Sequence, residues 1–273
     1  MVTTISNASD VERNDYVRFR TRFTFERFVD LPRDGAYRFL DFGCGDGHSI
    51  EALLDVYPQT RFFGAEYEPG TLSRCLARLG SHSRVTIVQT KSPGSLDGIG
   101  TGFDVIQLNA VFEHMLPDER RALMPELWRR IASGGYLVLT ETPWRWFPIE
   151  THSTSRPLVN YMPHRLALFT MRHFSKGGRF SHIRTLEEGL RDGLRGATVP
   201  EIVASLAAAP GSARIVTSSA PDARDMLDVW WHGECRKTKQ KQFAYSVLSA
   251  WRKVTGMVIS PWVNLVVQKT RQE

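Results

Sequence analysis

The sequence predicts an α/β protein built on a doubly wound, mainly parallel sheet with helices on both faces. Three observations carry that prediction. Short apolar runs alternate with helical stretches several times between residues 36 and 145. A glycine-rich loop follows the first of these runs, and glycine or proline signals punctuate many of the joins, as crossover connections require.

Taken in order, Tyr16, Phe19, Phe23 and Phe28 fall near a helical stripe with arginines between them. The stretch also alternates like a strand, but the helical reading is preferred. After the turn at Pro32–Gly35, "YRFLDF" reads as a buried strand, and a helix follows from about His48 to Val56. "TRFFGAEY" is a strand and Gly70 to Leu79 a helix; "RVTIVQT" and "FDVIQLNAVF" are further strands. Pro117–Asp118 opens a helix to Ile131, Gly134–Gly135 closes it, and "YLVLTET" is the fifth strand. From Pro143 to about Pro210 strands are absent and Pro, His, Arg and aromatics dominate. "SARIVTSS" and "WVNLVVQK" then resume strand character, with a basic helical stretch between them.

The chain has 273 residues, 42% apolar and 23% charged, which describes a globular protein able to bury a sizeable core. Cys44, Cys75 and Cys235 form neither a disulfide framework nor a metal-ligand spacing, so no metal site is expected. The start lacks the pattern of a secretory signal and no window approaches a membrane span, which points to a cytoplasmic protein. Residues 1–150 hold 17 Lys+Arg against 20 Asp+Glu, whereas 151–273 hold 18 against 9. That asymmetry invites an anionic partner such as a charged substrate, RNA or an acidic membrane, or is simply a solvated face.

The loop "LDFGCGDGHS" (Leu40 to Ser49) decides the function class. A dinucleotide fingerprint needs a third glycine where His48 stands, and a triphosphate cradle needs a Gly-Lys-Ser/Thr that is missing. Asp41 at the strand end would repel a phosphate and suits a cationic ligand. The pattern Asp-x-Gly-x-Gly-x-Gly, Asp41 to Gly47, closely resembles that of the class I, Rossmann-like S-adenosylmethionine-dependent methyltransferases.

The resemblance covers 36–145 firmly. It implies a seven-stranded sheet with an antiparallel last strand, and S-adenosylmethionine as cofactor. By the same resemblance Asp41, Gly43, Cys44, Gly45 and Gly47 would hold the methionyl part, and Glu66 the ribose hydroxyls. Tyr67 would pack on the adenine and Ser92 lie near the adenine edge, where the family's usual aspartate is missing. "NAVFEHM" resembles the loop under the sulfonium, giving Asn109, Phe112 and Glu113 as further contacts.

"TPWRWFPIETHSTSRPLVNYMPHR" (Thr142 to Arg165) begins beside the expected methyl group. It resembles a subgroup associated with sugars, polysaccharides and lipid-linked glycans. The preferred acceptor is therefore a hydroxyl of a sugar or related metabolite, free or lipid-linked. His152 would serve as base with Glu150 and Tyr161 as neighbours, and His114 is the second choice. Trp144, Trp146 and Phe147 are candidates for an acceptor platform or for plain packing.

A quinone, natural-product or RNA acceptor, or a non-catalytic cofactor-binding module, stand as alternatives. No nucleic-acid motif supports the RNA case, so no nucleic-acid partner is expected. The basic run Arg236, Lys237, Lys239 and Lys241 before an apolar stretch is either a peripheral contact with acidic membrane or a packed helix with solvated lysines. The oligomeric state is open. The expected organisation is one methyltransferase domain: a helical segment (1–35), a cofactor core (36–145), a substrate lid (146–212), and last strands with a basic helix (213–273).

Overall fold

The computed structural model describes residues 8–175, 178–235 and 237–270. Arg236 of the basic run lies outside the described residues.

The strand that leads into the glycine loop is the centre of the molecule. β1 (Arg38–Phe42) pairs in parallel with β2 (Arg61–Glu66) on one side and β4 (Phe103–Asn109) on the other. β3 (Val85–Gln89) extends the first side, and β5 (Ile131–Pro143) the second. β7 (Trp262–Thr270) lies antiparallel against β5, and β6 (Ser212–Ile215) closes that edge. The seven strands run in the order β3-β2-β1-β4-β5-β7-β6. Chain direction across the sheet reverses between β1 and β4, so the connections leave a crevice at their carboxyl ends.

Alternation along each central strand feeds two cores. Leu40, Ile106 and Leu108 face α4 (Pro117–Arg130) through Leu127 and Trp128. Phe39, Val105 and Val138 face the other way, onto α1 (Ala8–Phe28) through Phe25 and α2 (His48–Leu54) through Leu53. α1 is helical as preferred from the sequence, yet its stripe differs. Phe23 and Phe25 are both buried and Phe19 is exposed, because the helix touches two neighbours rather than one face. α3 (Pro69–Leu79) covers β2 and β3.

β5 begins sooner than the glycine pair suggests. Ile131 already pairs with Phe103, and Gly134 (φ 87°) sits in the irregular stretch before regular pairing starts at Tyr136.

Beyond β5 come a 3-10 turn at Val159–Tyr161, α5 (His164–Phe174) and α6 (Leu186–Arg191). These share a small core of Val159, Ala167, Met171, Phe180, Ile183 and Leu194. α7 (Val199–Leu206) instead joins the main core on α4 through Ile202 and Leu206. α8 (Met226–His232) packs on β7, while α9 (Lys239–Thr255) buries no residue. No described helix is long and apolar enough to cross a membrane.

Candidate cofactor and acceptor cleft

A cleft of about 890 Å³ opens at the carboxyl ends of β1, β2 and β4. The glycine loop forms its floor. Gly43 (φ 74°) and Gly45 (φ 53°) take the left-handed conformation that side chains disfavour. The Gly43 and Cys44 amides both donate to the Ala65 carbonyl, which ties the loop to β2. A Cβ on Gly43 would strike Val111 at 2.5 Å, whereas one on Gly45 would meet nothing within 4 Å. Gly45 therefore presents bare backbone to open space. Gly47 serves packing instead. A Cβ there would hit Leu79 at 2.6 Å, so the glycine lets α2 meet α3 and does not line the cleft.

Two carboxylates stand on this floor. Asp41 is buried, and neither carboxylate oxygen has a hydrogen-bond partner. Burial, with Glu66 nearby, pushes its pKa up to about 7. Glu66 Oε2 accepts from the Gly45 amide at 3.0 Å, and Oε1 accepts from the amides of Tyr67 and Glu68. Oε2 keeps a further lone pair, and the residue lines the cleft. Tyr67 stands half-exposed on the rim. At the end of β3 the lining residues are Thr90 and Pro93. Ser92 is not among them; its carbonyl accepts from the Thr90 hydroxyl and the Ser95 amide.

The loop after β4 forms the next wall. Asn109 accepts from the Thr140 hydroxyl at 2.8 Å and donates to Ser49. Phe112 turns away into the main core, where the Arg120 guanidinium covers its ring at 4.5 Å. Glu113 is buried with one oxygen accepting from the Thr142 hydroxyl and the other unpartnered, and burial raises its pKa to about 8. His114 Nδ1 donates to the Arg191 carbonyl at 2.6 Å. A carbonyl only accepts, so in the neutral ring the lone pair is left on Nε2. Burial lowers the His114 pKa, which favours that neutral form.

His152 packs edge-on against His114 (ring centroids 5.3 Å) and Trp262 (6.3 Å), and burial lowers its pKa to about 4. Its expected neighbours do other things. Glu150 is buried and accepts from the amides of His152, Ser153 and Thr154 and from both hydroxyls. Tyr161 donates to the Trp146 carbonyl. Trp144, Trp146 and Phe147 lie off the cleft, so the expected acceptor platform is not there. The aromatic residues on its walls include Tyr16, Phe42, Tyr67 and Trp262.

Sequence reasoning missed Tyr16 and Trp262 as wall residues, together with Glu141, Arg179, Arg191 and Asp192. Glu141 carries one sign of its own, visible only in the fold: a positive φ of 64° at the β5 irregularity. Tyr16 stands in the aromatic stripe of the first helix, and only the packing of α1 brings it over the crevice.

The donor set suits a cationic, sugar-bearing ligand. An unpartnered buried carboxylate, a second acid one strand over and open backbone at Gly45 fit an ammonium and a sulfonium, and would repel a pyrophosphate.

Comparison with known proteins agrees. Residues 40–137 match the family model described as "Methyltransferase domain". A trans-aconitate 2-methyltransferase of Methylobacterium nodulans is 30% identical over 135 residues, 48% of this chain and 49% of that protein. One from Rhodopseudomonas palustris is 31% identical over 134 residues, 48% of this chain and 50% of that protein. The matched region thus spans about half the length of these curated relatives. Among solved structures, an O-methyltransferase family protein from Burkholderia thailandensis aligns at a TM-score of 0.53, with 13% identity over 97% of this chain and 57% of that one. That likeness speaks for the fold. Residues 40–137 are a methyltransferase domain of the class I, Rossmann-like S-adenosylmethionine-dependent family.

Proposed function

We propose that the chain is a methyltransferase that moves a methyl group from S-adenosylmethionine to a hydroxyl of a small molecule, a sugar or related metabolite being the first class to test. The observation that carries this reading is the Asp41 carboxylate, buried at the cleft floor without a hydrogen bond. When bound, S-adenosylmethionine supplies an electrophilic methyl on a positively charged sulfur. Asp41 is assigned to its ammonium, Glu66 to the ribose hydroxyls, and the Gly43–Gly45 backbone with Asn109 to the methionyl part. Tyr67 and Thr90 are assigned to the adenine side.

Methyl transfer is an in-line displacement, so the protein contributes chiefly alignment and exclusion of water. Asn109, Ala110 and the buried Glu113 shape one wall of the reacting space, and Trp262 and His152 line another part of it. His114 is assigned the acceptor's proton, ahead of His152, because the Arg191 carbonyl holds its tautomer and leaves Nε2 free. A positioned base of this kind contributes about 10²–10⁴-fold. His152, held well below the usual imidazole range, is a weaker base and serves as wall.

A carboxylate acceptor is the second reading. The trans-aconitate in the relatives' names favours it, and so does Arg179 on the cleft wall. A carboxylate needs no base, which separates the two cases. Titration calorimetry with S-adenosylmethionine and its demethylated product tests the cofactor assignment; no binding at millimolar ligand overturns it. Labelled methyl transfer to trans-aconitate and to sugars, with wild type and His114→Gln, then tests the acceptor. Loss of turnover in the variant supports a hydroxyl, and unchanged turnover on trans-aconitate supports the carboxylate.

A further inference from the structure

The lid has an outer face that the methyl-transfer reading does not use. From residue 151 to 186 the chain carries six Lys+Arg and no Asp or Glu. The inner side of α5 supplies Ala167 and Met171 to the small lid core. Its outer side is apolar and uncovered. Phe169, 51% exposed, touches the His173 ring at 4.5 Å and the Phe174 ring at 6.2 Å. Leu166 and Phe174 are each 48% exposed, and the Arg156 guanidinium covers Phe174 at 5.6 Å. Arg165 and Arg172 flank the patch on the helix.

α9 repeats this composition independently. Its 17 residues include four Lys+Arg and no acid, and none of them is buried; Lys241 pairs with Glu234, and Arg252 with Asp225 and Asp228. Phe243, Val247 and Val254 fall on one side at helical spacing and are 72%, 51% and 86% exposed, with Lys239 and Lys253 beside that stripe. The chain leaving α9 reaches Pro261, whose carbonyl accepts from the Trp144 amide at 3.0 Å, and Trp144 packs on the exposed Trp146 at the start of the lid.

We propose that the outer face of α5, with α9 as a second anchor, docks onto an anionic lipid bilayer surface. Charge selects this occupant. A second copy of the chain meeting the same face would set cation against cation, since a two-fold interface pairs a patch with itself. An anionic headgroup layer instead receives Arg165, Arg172, Lys239 and Lys253, while Phe169, Leu166, Phe243 and Val247 enter the acyl boundary. Two modest anchors also match what surface binding needs, because one weak signal alone gives only marginal attachment. The lid core joins this face to the cleft: Phe180 fills that core and its neighbour Arg179 lines the cleft, so docking presents the acceptor wall near the surface.

The test is co-sedimentation of the full chain with phosphatidylcholine vesicles, with and without phosphatidylglycerol. Binding to the anionic vesicles is expected to exceed that to neutral ones by roughly tenfold and to weaken at high salt. Phe169→Glu and Phe243→Glu should each reduce it severalfold, with unchanged circular dichroism and unchanged cofactor affinity by calorimetry. No pelleting with anionic vesicles overturns the proposal, as does equal binding to neutral ones or binding that neither variant alters. A concentration-dependent dimer abolished by Phe169→Glu assigns the face to a second copy and overturns it too.

Discussion

Two buried carboxylates in this molecule live in opposite surroundings. Glu150, in the turn after β5, accepts hydrogen bonds from five amide and hydroxyl donors, which hold its pKa below the ordinary value although burial alone pushes it up. Asp41, on the cleft floor, accepts none, and its pKa rises to about 7. The first is a carboxylate the fold has satisfied in order to tie a loop. The second costs the fold stability, and only a ligand that arrives later offsets that cost. Buried acids of the first kind are architecture; those of the second kind mark sites.

The largest expected effect follows from that contrast. Asp41→Asn should lower cofactor affinity by about 100-fold or more, since it removes one partner of a buried ion pair. The same change should raise the melting temperature of the unliganded protein, because an uncompensated charge disappears. The gain is at most about 4 kcal/mol, the equivalent of a shift from 3.8 to about 7. Glu150→Gln should behave in reverse: a stability loss of about 2 kcal/mol from broken charge-assisted bonds, with cofactor affinity unchanged. Calorimetry and thermal melts on the two variants check both halves. If Asp41→Asn melts lower than wild type, the contrast fails.

The pH dependence sharpens the comparison. Asp41 has a raised folded pKa, so its penalty is absent below the unfolded value near 4 and grows until pH about 7. Asp41→Asn should therefore stabilise clearly at pH 8 and hardly at pH 4. Cofactor binding needs the ionised form, so affinity should fall about tenfold from pH 8 to pH 6, with the proton released on binding visible as a buffer-dependent heat. Glu150 has a lowered folded pKa. Its contribution is complete above the unfolded value of 4.5 and is lost as pH falls through the folded one. A flat affinity profile across pH 6–8 would remove Asp41 from the cation site.

The proposed cofactor half is readable from sequence because its requirements are local. Glycines that must take positive φ, an acid at a strand end and the next acid one strand over lie within 26 residues of one another, from Asp41 to Glu66. The strands follow from apolar runs between glycine and proline breaks, which also mark β6 and β7. The proposed acceptor half is assembled from distant pieces: Tyr16 from α1, Glu141 from an irregular β5, Arg179 and Arg191 from the segment between β5 and β6, and Trp262 from β7. No spacing rule joins residues that far apart. Phe112 and Gly47 show the converse error, since both belong to a motif by position while packing turns one into core and the other toward Leu79.

The smallest effect tests that last point. Position after β3 puts Ser92 at the adenine edge, but its carbonyl accepts from the Thr90 hydroxyl and the Ser95 amide, while Thr90 and Pro93 line the cleft. Removing a hydroxyl that no ligand reaches should change little, so Ser92→Ala should alter cofactor affinity less than about twofold. Thr90→Val keeps the shape and loses one of the bonds that hold this turn, which should cost a few-fold, in line with a single hydrogen bond of about 1 kcal/mol. Titrating both variants ranks the two residues directly. A tenfold loss in Ser92→Ala, with Thr90→Val unaffected, would mean that the turn after β3 reshapes when the adenine enters, and position in the motif would then outweigh the geometry of the unliganded wall.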